Sequence, residues 1–231
     1  MKENFALYTA VFDNNDKVVA QQTPMKCNQF VYNNLGKVRF ADDQLNKYCD
    51  FPELSGTKKN RRIKIFPDEI FEKYEFSLYI DSNVELFVDP IIFIDMIRDF
   101  DMILFKHHRR NCIYKEHEAI KSNGFRESHP FLPDNFYEKL KNQIEKYRKR
   151  GWPEENGLYW GGFLLRKHTD KVIKFSNAWL HEVLDNSERD QISLPVMLKK
   201  HKINVLIIDE NIVFNNFLRI LPHEYSNRLS E

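Results

Sequence analysis

The sequence predicts an α/β domain in which a mostly parallel central sheet is flanked by helices. Three observations carry that expectation. Apolar runs of strand length stand at residues 5–12 (FALYTAVF), 76–80 (FSLYI), 102–105 (MILF) and 205–208 (VLII). Helical patterns separate these runs, and strands alternating with helices imply crossover connections between parallel strands. No internal repeat, low-complexity tract or Pro/Gly/Ser linker divides the 231 residues, a length that a single domain commonly has.

The run at 5–12 ends in Asp13-Asn14-Asn15-Asp16 and reads as a buried strand followed by a polar loop. Residues 37–40 read as a weaker strand that stops at Ala41-Asp42-Asp43. The basic stretch 55–64 (SGTKKNRRIK) reads as irregular. By contrast, 67–74 reads as a short helix, with Pro67 near its start and acids in its first turn. The strand at 76–80 runs into Asp81-Ser82-Asn83. Asp89 then suits an N-cap and Pro90 a first helical position, starting a helix through Ile97. After the strand 102–105 comes Lys106-His107-His108-Arg109-Arg110. Residues 111–121 and 134–150 read as helical. The second of these aligns Phe136, Leu140, Ile144 and Tyr147 on one stripe and ends in Lys/Arg before Gly151. Residues 159–165 (YWGGFLL) are strand-like, 177–184 and 189–200 helical, and 205–208 closes the pattern as a strand.

Composition narrows the function. Lys+Arg number 35 against Asp+Glu 34, a formal charge of +1, which argues against bulk electrostatic capture of nucleic acid or an anionic membrane. Nothing approaches ~18 consecutive apolar residues, so no transmembrane span is expected. Met1-Lys2-Glu3-Asn4 enters the first strand pattern directly, without a signal-peptide core. Cys27, Cys49 and Cys112 fit neither a disulfide framework nor a zinc knuckle, and the expected compartment is the cytoplasm. Glycine is scarce: the chain has 7, where ordinary usage would give roughly 16. Neither Gly-x-Gly-x-x-Gly nor Gly-x-x-x-x-Gly-Lys is present, and both loops use glycine to bring backbone N–H groups to phosphate. A bound nucleotide would therefore be held by side chains or a metal.

In parallel sheets ligands lie beyond the carboxyl ends of the strands, so the polar clusters there are the candidates. A strand ending in Asp81-Ser82-Asn83 aims two oxygen ligands at one space, which suits a hard cation such as Mg²⁺ or Mn²⁺ bridging phosphates. The same residue types also make ordinary turns. Asp42 and Asp43 are placed either to accept hydrogen bonds from a base or ribose or to be solvated. Arg61, Arg62 and Lys64 suit a diphosphate, though a solvated basic loop accounts for them about as well. His107, His108 and Arg109, with Glu116 and His117 further on, lack any standard zinc spacing. Asp190 opens a helix and would complement its dipole in any case. Trp160-Gly161-Gly162 contains the one Gly pair, and glycine in a strand marks a bulge or the close approach of a ligand.

Taken in order, the segments LYTAVFDNND, VRFADD, RRIKIFPDEIFEKYEFSLYIDSNVEL, HHRRNCIYKEHEAI, GWPEENGLYWGGFLLRKH and NAWLHEVLDNSERDQISLP resemble the TOD/MUCI-type glycosyltransferases, which have a GT-A-like nucleotide-sugar-binding fold. The resemblance implies transfer of a sugar from a nucleotide donor, most often a uridine diphosphate sugar, to a hydroxyl of a glycan or glycoconjugate. It divides the single domain 1–231 into a nucleotide-binding part over about 1–110 and an acceptor-side part over about 111–231. By that analogy Thr9 and Asp42 or Asp43 lie near the base and ribose, and Arg62 and Lys64 face the diphosphate. Asp81, Ser82 and Asn83 occupy the Asp-x-Asp position for Mn²⁺ or Mg²⁺, where neutral Asn83 weakens the metal; His223 is a late metal ligand. Asp190-Gln191 is similar to the Asp-Gln element of retaining enzymes, with Asp190 the main catalytic-site carboxylate. Trp160, Gly161 and Gly162 form the sugar or acceptor floor, with His107 and Arg109 on the acceptor side. The family also implies work on a glycan precursor at the cytoplasmic side, with peripheral membrane contact. Two other classes stay open. A nucleotidyltransferase would normally have a Gly-rich phosphate loop and firmer metal carboxylates. A non-catalytic carbohydrate- or nucleotide-binding module is favoured by Asn83.

Overall fold

The computed structural model describes residues 3–13, 16–36, 38, 44–122 and 132–222. Its strands in chain order are β1 (Glu3–Val11), β2 (Asn28–Asn33), β3 (Gln44–Tyr48), β4 (Tyr74–Ile80), β5 (Val84–Leu86), β6 (Met102–Phe105), β7 (Phe163–Lys167), β8 (Val205–Ile208) and β9 (Leu218–Ile220). The helices are α1 (Gly56–Ile65), α2 (Asp68–Lys73), α3 (Phe93–Met96), α4 (Ile113–Ser122), α5 (Phe136–Lys149), α6 (Asp170–Asp185) and α7 (Asp190–Lys200).

Within β1, Ala6, Tyr8 and Ala10 turn to one face of the sheet and Phe5, Leu7 and Val11 to the other, and all six are buried. A strand covered on both faces needs such a near-continuous apolar run. The sheet order is β3-β2-β1-β4-β7-β6-β8. β1 pairs in parallel with β2 and β4, with Thr9 opposite Val31 and Leu7 opposite Leu78; β2–β3 and β6–β8 are also parallel. β7 alone is reversed, antiparallel to β4 and β6. One edge of the sheet therefore collects six strand carboxyl ends and the amino end of β7.

Helices α1, α6 and α7 cover the Tyr8 face through Ile63, Ile65, Trp179, Leu194 and Met197. Phe93, Ile97 and the β5–β9 ribbon cover the Leu7 face. A third apolar cluster joins α4 and α5 to Ile192 of α7. The stripe Phe136, Leu140, Ile144 and Tyr147 is its spine, as its helical spacing requires.

The structure departs from the sequence expectation at 55–64, at 160–162, at the start of α6 and at the start of the helix after Asp89. The basic stretch at 55–64 is helical: Lys and Arg are good helix formers, and the buried side of α1 carries Lys59, Ile63, Lys64 and Ile65 instead of an apolar stripe. The strand expected at 37–40 falls mostly outside the described residues, and the strands of that region are β2 and β3. Residues 160–162 form a turn, so β7 starts at Phe163, with Tyr159 making one bridge to Lys106. Helix α6 begins at Asp170, well before 177, behind Thr169, whose hydroxyl accepts from the Val172 N–H. Asp89 does cap its helix, accepting from the Ile91 N–H, but a 3-10 turn (Pro90–Ile92) precedes the short α3.

Candidate active site

The site is aimed by a clamp at the carboxyl end of α1. Arg166, wholly buried in β7, donates to the carbonyls of Ile65 (2.7 Å) and Lys64 (3.0 Å) and to the Tyr8 hydroxyl. Tyr8 in turn donates to the Lys64 carbonyl at 2.9 Å. Burial pushes the Tyr8 phenol up to about 12, against the pull of Arg166, so it keeps its proton and its donor role. These bonds satisfy orphan carbonyls of the last helical turn and fix the backbone from which the Lys64 side chain leaves.

That side chain is almost fully buried, and its ammonium is shared between two carboxylates. Lys64 Nζ lies 2.6 Å from Asp190 Oδ2 and 3.4 Å from Asp81 Oδ1. Asp81 stands at the carboxyl end of β4, and Asp190 is the first residue of α7. Arg61, one helical turn before Lys64, brings its Nε to 3.7 Å from Asp190 Oδ1 and donates to the Glu188 carbonyl at 3.2 Å. Glu188 adopts a left-handed backbone (φ 63°), which turns the chain into α7. Burial by itself would raise the Asp190 carboxyl, but Arg61, Lys64 and Arg189 outweigh it and hold the group well below the usual carboxylate range. Asp190 is therefore ionised at every physiological pH.

Two glycines leave room for this contact. A Cβ at Gly161 would meet Asp190 Oδ2 at 2.9 Å and Lys64 Nζ at 3.1 Å. A Cβ at Gly162 would run into the Trp160 indole and meet Asp81 Oδ2 at 2.8 Å. The Gly pair is thus a side-chain-free floor beneath the carboxylates, as close backbone approach demands. Trp160 lies over it, its backbone N–H donating to the Phe105 carbonyl (2.9 Å) and its indole packed edge-on against the Phe105 ring.

At the end of β4, Asp81 Oδ1 also accepts from the Tyr79 hydroxyl at 2.9 Å, and its side chain is 31% exposed. Ser82 is engaged locally, its hydroxyl donating to Asp16 and its carbonyl accepting from Val19. Asn83 donates through Nδ2 to the Leu221 carbonyl (2.7 Å), and its own carbonyl accepts from Leu221 N–H (2.9 Å). Among the described residues no group of three or more His, Cys, Asp or Glu gathers as a self-sufficient metal site. Asn83 is 4% exposed and its amide is turned to Leu221, so the donor open to this edge is the partly exposed Asp81 carboxylate, which fits a hard cation that takes the rest of its shell from phosphate oxygens and water, as Mg²⁺ commonly does.

Beyond β6 the pattern reverses. His107 is buried, and its Nδ1 accepts from the N–H groups of Arg109 (3.3 Å) and Arg110 (3.2 Å). Desolvation pulls its pKa down to about 4 despite the Glu116 carboxylate, so the ring is neutral and its proton sits on Nε2, 4.0 Å from Glu116. Glu116, 1% exposed, is held by Arg110 Nε at 2.6 Å and Arg189 at 2.9 Å. Arg189 immediately precedes Asp190, so α4 anchors the start of α7. Ser187, bonded to Gln143 of α5 at 2.6 Å, anchors the same turn.

The structure thus brings together Lys64, Asp81, Asp190, Trp160, Gly161 and Gly162, with Gln191 buried directly behind Asp190. It separates others. Arg62, expected at the diphosphate, points away from Asp190: its guanidinium binds Asp68 and the Phe66 carbonyl and stacks on the Phe66 ring. Thr9, expected near base and ribose, is sealed inside β1, and its hydroxyl has no hydrogen-bond partner among the described residues. Arg109 is exposed at the far end of the β6 loop. Asp42, Asp43 and His223 lie outside the described residues. Sequence reasoning missed Arg61 as the partner of Lys64, Tyr79 as the donor to Asp81, and the Glu116–Arg189 anchor.

A mostly parallel α/β sheet with a cluster of paired cations and carboxylates at its carboxyl edge defines the class: an α/β domain whose candidate site is built on side chains instead of a glycine loop. The family profile described as "TOD1/MUCI70, glycosyltransferase-like domain" matches residues 50–223, and the chain belongs to that family. It is similar to the Arabidopsis thaliana protein described as "Probable hexosyltransferase MUCI70", with 27% identity over 157 residues, covering 65% of this chain and 26% of the relative. The match thus spans about a quarter of that relative's length. Among the described residues no helix is long and apolar enough to cross a membrane.

Proposed function

We propose that this domain transfers a sugar from a nucleoside diphosphate donor, a uridine diphosphate sugar, to a hydroxyl of a glycan or glycoconjugate. The observation that carries the reading is the Lys64 ammonium shared by Asp81 and Asp190 above the Gly161-Gly162 floor. Family membership and the hexosyltransferase relative support the reaction class.

Breaking the glycosyl bond leaves negative charge on the diphosphate, and cationic groups positioned there in advance lower the barrier. Lys64, which is buried, and Arg61, which is partly exposed, are the cations facing that space. Asp81 would hold Mn²⁺ or Mg²⁺, which when bound would neutralise the leaving diphosphate. Asp190, kept ionised by its neighbours, accepts hydrogen bonds and so orients hydroxyls of the donor or acceptor sugar. An ionised Asp190 also suits stabilisation of positive charge at the anomeric carbon, in line with a retaining outcome. The glycine floor lets the sugar ring approach the backbone, Trp160 offers an apolar surface, and His107 fixes the loop that carries Arg109 on the acceptor side.

Calorimetric titration of UDP and UDP-sugars with and without Mn²⁺, on wild type and Asp81→Ala, tests the reading. Nucleotide should bind wild type more tightly with Mn²⁺, and Asp81→Ala should lose that gain. Asp190→Asn should lower turnover by about 100- to 1000-fold, the cost of removing one preorganised electrostatic group, with donor affinity within several-fold. Absence of nucleotide binding under every condition would sink the proposal. Binding without transfer to any acceptor or water would favour a non-catalytic binding module.

A further inference from the structure

We propose that Lys64 is an internal counter-cation that makes metal binding at Asp81 depend on the nucleotide. The inference rests on the nucleoside diphosphate reading above and concerns the order in which charges enter that site. Asp81 Oδ1 already has two partners, the Tyr79 hydroxyl at 2.9 Å and Lys64 Nζ at 3.4 Å. The Lys64 side chain is 3% exposed, so its ammonium cannot swing into bulk water without breaking the packing around its stem. It is also held from the other side by Asp190 at 2.6 Å. A divalent ion drawn to Asp81 therefore meets a fixed, poorly screened positive charge beside its principal ligand.

The diphosphate reverses that balance. Its negative charge gives the ammonium a third anionic partner and cancels its repulsion of the metal. Metal and nucleotide then each strengthen the other's binding by the same factor, as linkage requires. Asp190 sets the strength of the effect, because it is the nearer carboxylate and draws Lys64 away from Asp81. Gly161 permits the arrangement, since a Cβ there would push into both Asp190 Oδ2 and Lys64 Nζ.

Two substitutions should therefore move metal affinity in opposite directions. Lys64→Met removes the competing cation; Asp190→Asn leaves it with Asp81 as its one charged carboxylate among the three groups. The measurement is Mn²⁺ binding, read from the resonance of the free aquo ion and by calorimetry, for each protein with and without UDP. Wild type should bind Mn²⁺ more tightly with UDP by a factor within the usual range of coupling, about 5- to 150-fold. Lys64→Met should bind Mn²⁺ alone about 10-fold more tightly than wild type and show a UDP-dependent gain smaller by about that factor, the remainder being direct ligation by phosphate. Asp190→Asn should bind Mn²⁺ alone more weakly than wild type. Lys64→Arg keeps the charge and should keep the gain; with Asp190→Asn it decides the matter if Lys64→Met fails to fold. Unchanged Mn²⁺ affinity in Lys64→Met, or a shift of both variants in one direction, overturns the role of Lys64 while UDP binding leaves the nucleotide reading standing. Lack of UDP binding to wild type, with Mn²⁺ or without, overturns both.

Discussion

Two buried ionic clusters flank the start of α7, and their stoichiometries are opposite. On the α1 side one cation, Lys64, is shared by two carboxylates. On the α4 side one carboxylate, Glu116, is shared by the guanidinium groups of Arg110 and Arg189. The first cluster opens to the strand edge through its carboxylate Asp81, which is 31% exposed; in the second the carboxylate is closed off, Glu116 at 1%, and only the guanidinium side chains of Arg110 (24%) and Arg189 (20%) reach partly outward. A closed cluster whose single anion has two fixed donors has nothing to offer a ligand and serves to hold backbone. An open one, with a carboxylate at the strand edge, can admit new charge. Burial of charge alone thus does not mark the reactive cluster. Access to its carboxylate does.

The largest effect should follow from breaking the closed cluster. Glu116→Ala leaves two guanidinium groups without their carboxylate, and removing one partner of a buried ion pair costs about 3–5 kcal/mol. Chemical denaturation should show a loss of that size, with a smaller loss for Glu116→Gln, which keeps a hydrogen-bonding oxygen. A loss below about 1 kcal/mol would put the pair among surface bridges and erase the distinction between the clusters.

A smaller effect should appear with pH. His107 has a folded pKa near 4 against an ordinary 6.5, so between these values the unfolded chain binds the proton more readily. The sign follows: this contribution to stability is complete above about pH 6.5 and is lost as the pH falls towards 4. Glu116 acts in the same direction but lower, because burial, which would raise its carboxyl, is outweighed by Arg189 and Arg110, and its support is lost on acidification below 4.5. Denaturation midpoints followed from pH 7 to 4 should therefore decline in wild type. His107→Gln should flatten the upper part of the decline and leave the lower part in place. An unchanged upper part would show that His107 is not the group responsible.

Much of the fold was legible because its signals are local. β6 and β8 occupy the residues that their apolar runs mark, and the α5 stripe needs only helical spacing. β2 escaped because its buried Phe30-Val31-Tyr32 run is short and flanked by Asn and Gln, and β3 because QLNKY is mostly polar; β2 pairs with β1 and β3 with β2, contacts no local pattern reveals. Asp81, Asp190 and the Gly pair were legible as strand-end or helix-start residues, since topology alone sends such positions to the carboxyl edge. Glu116 was not, because its partner Arg189 is distant in sequence and neither residue belongs to a recognisable spacing.

Arg61 and Arg62 show how one local error propagates to the site. Read as an irregular loop, 55–64 offers no reason to prefer either arginine. Read as a helix, it does: residues three apart share a face, whereas successive residues are about 100° apart around the axis. Lys64 therefore selects Arg61, and Arg62 turns towards Phe66 and Asp68. The consequence is the smallest expected change in this set. Arg62→Met gives up an exposed ion pair of about 0–1 kcal/mol and should leave donor affinity within about 2-fold of wild type. Arg61→Met, by contrast, removes charge-assisted contacts of about 1.5–3 kcal/mol, which corresponds to roughly a 10- to 100-fold weaker grip on UDP in the same titration. Equal losses from the two variants would mean that the nucleotide lies across both faces of α1, and that the face shared by Arg61 and Lys64 is not what selects the cation.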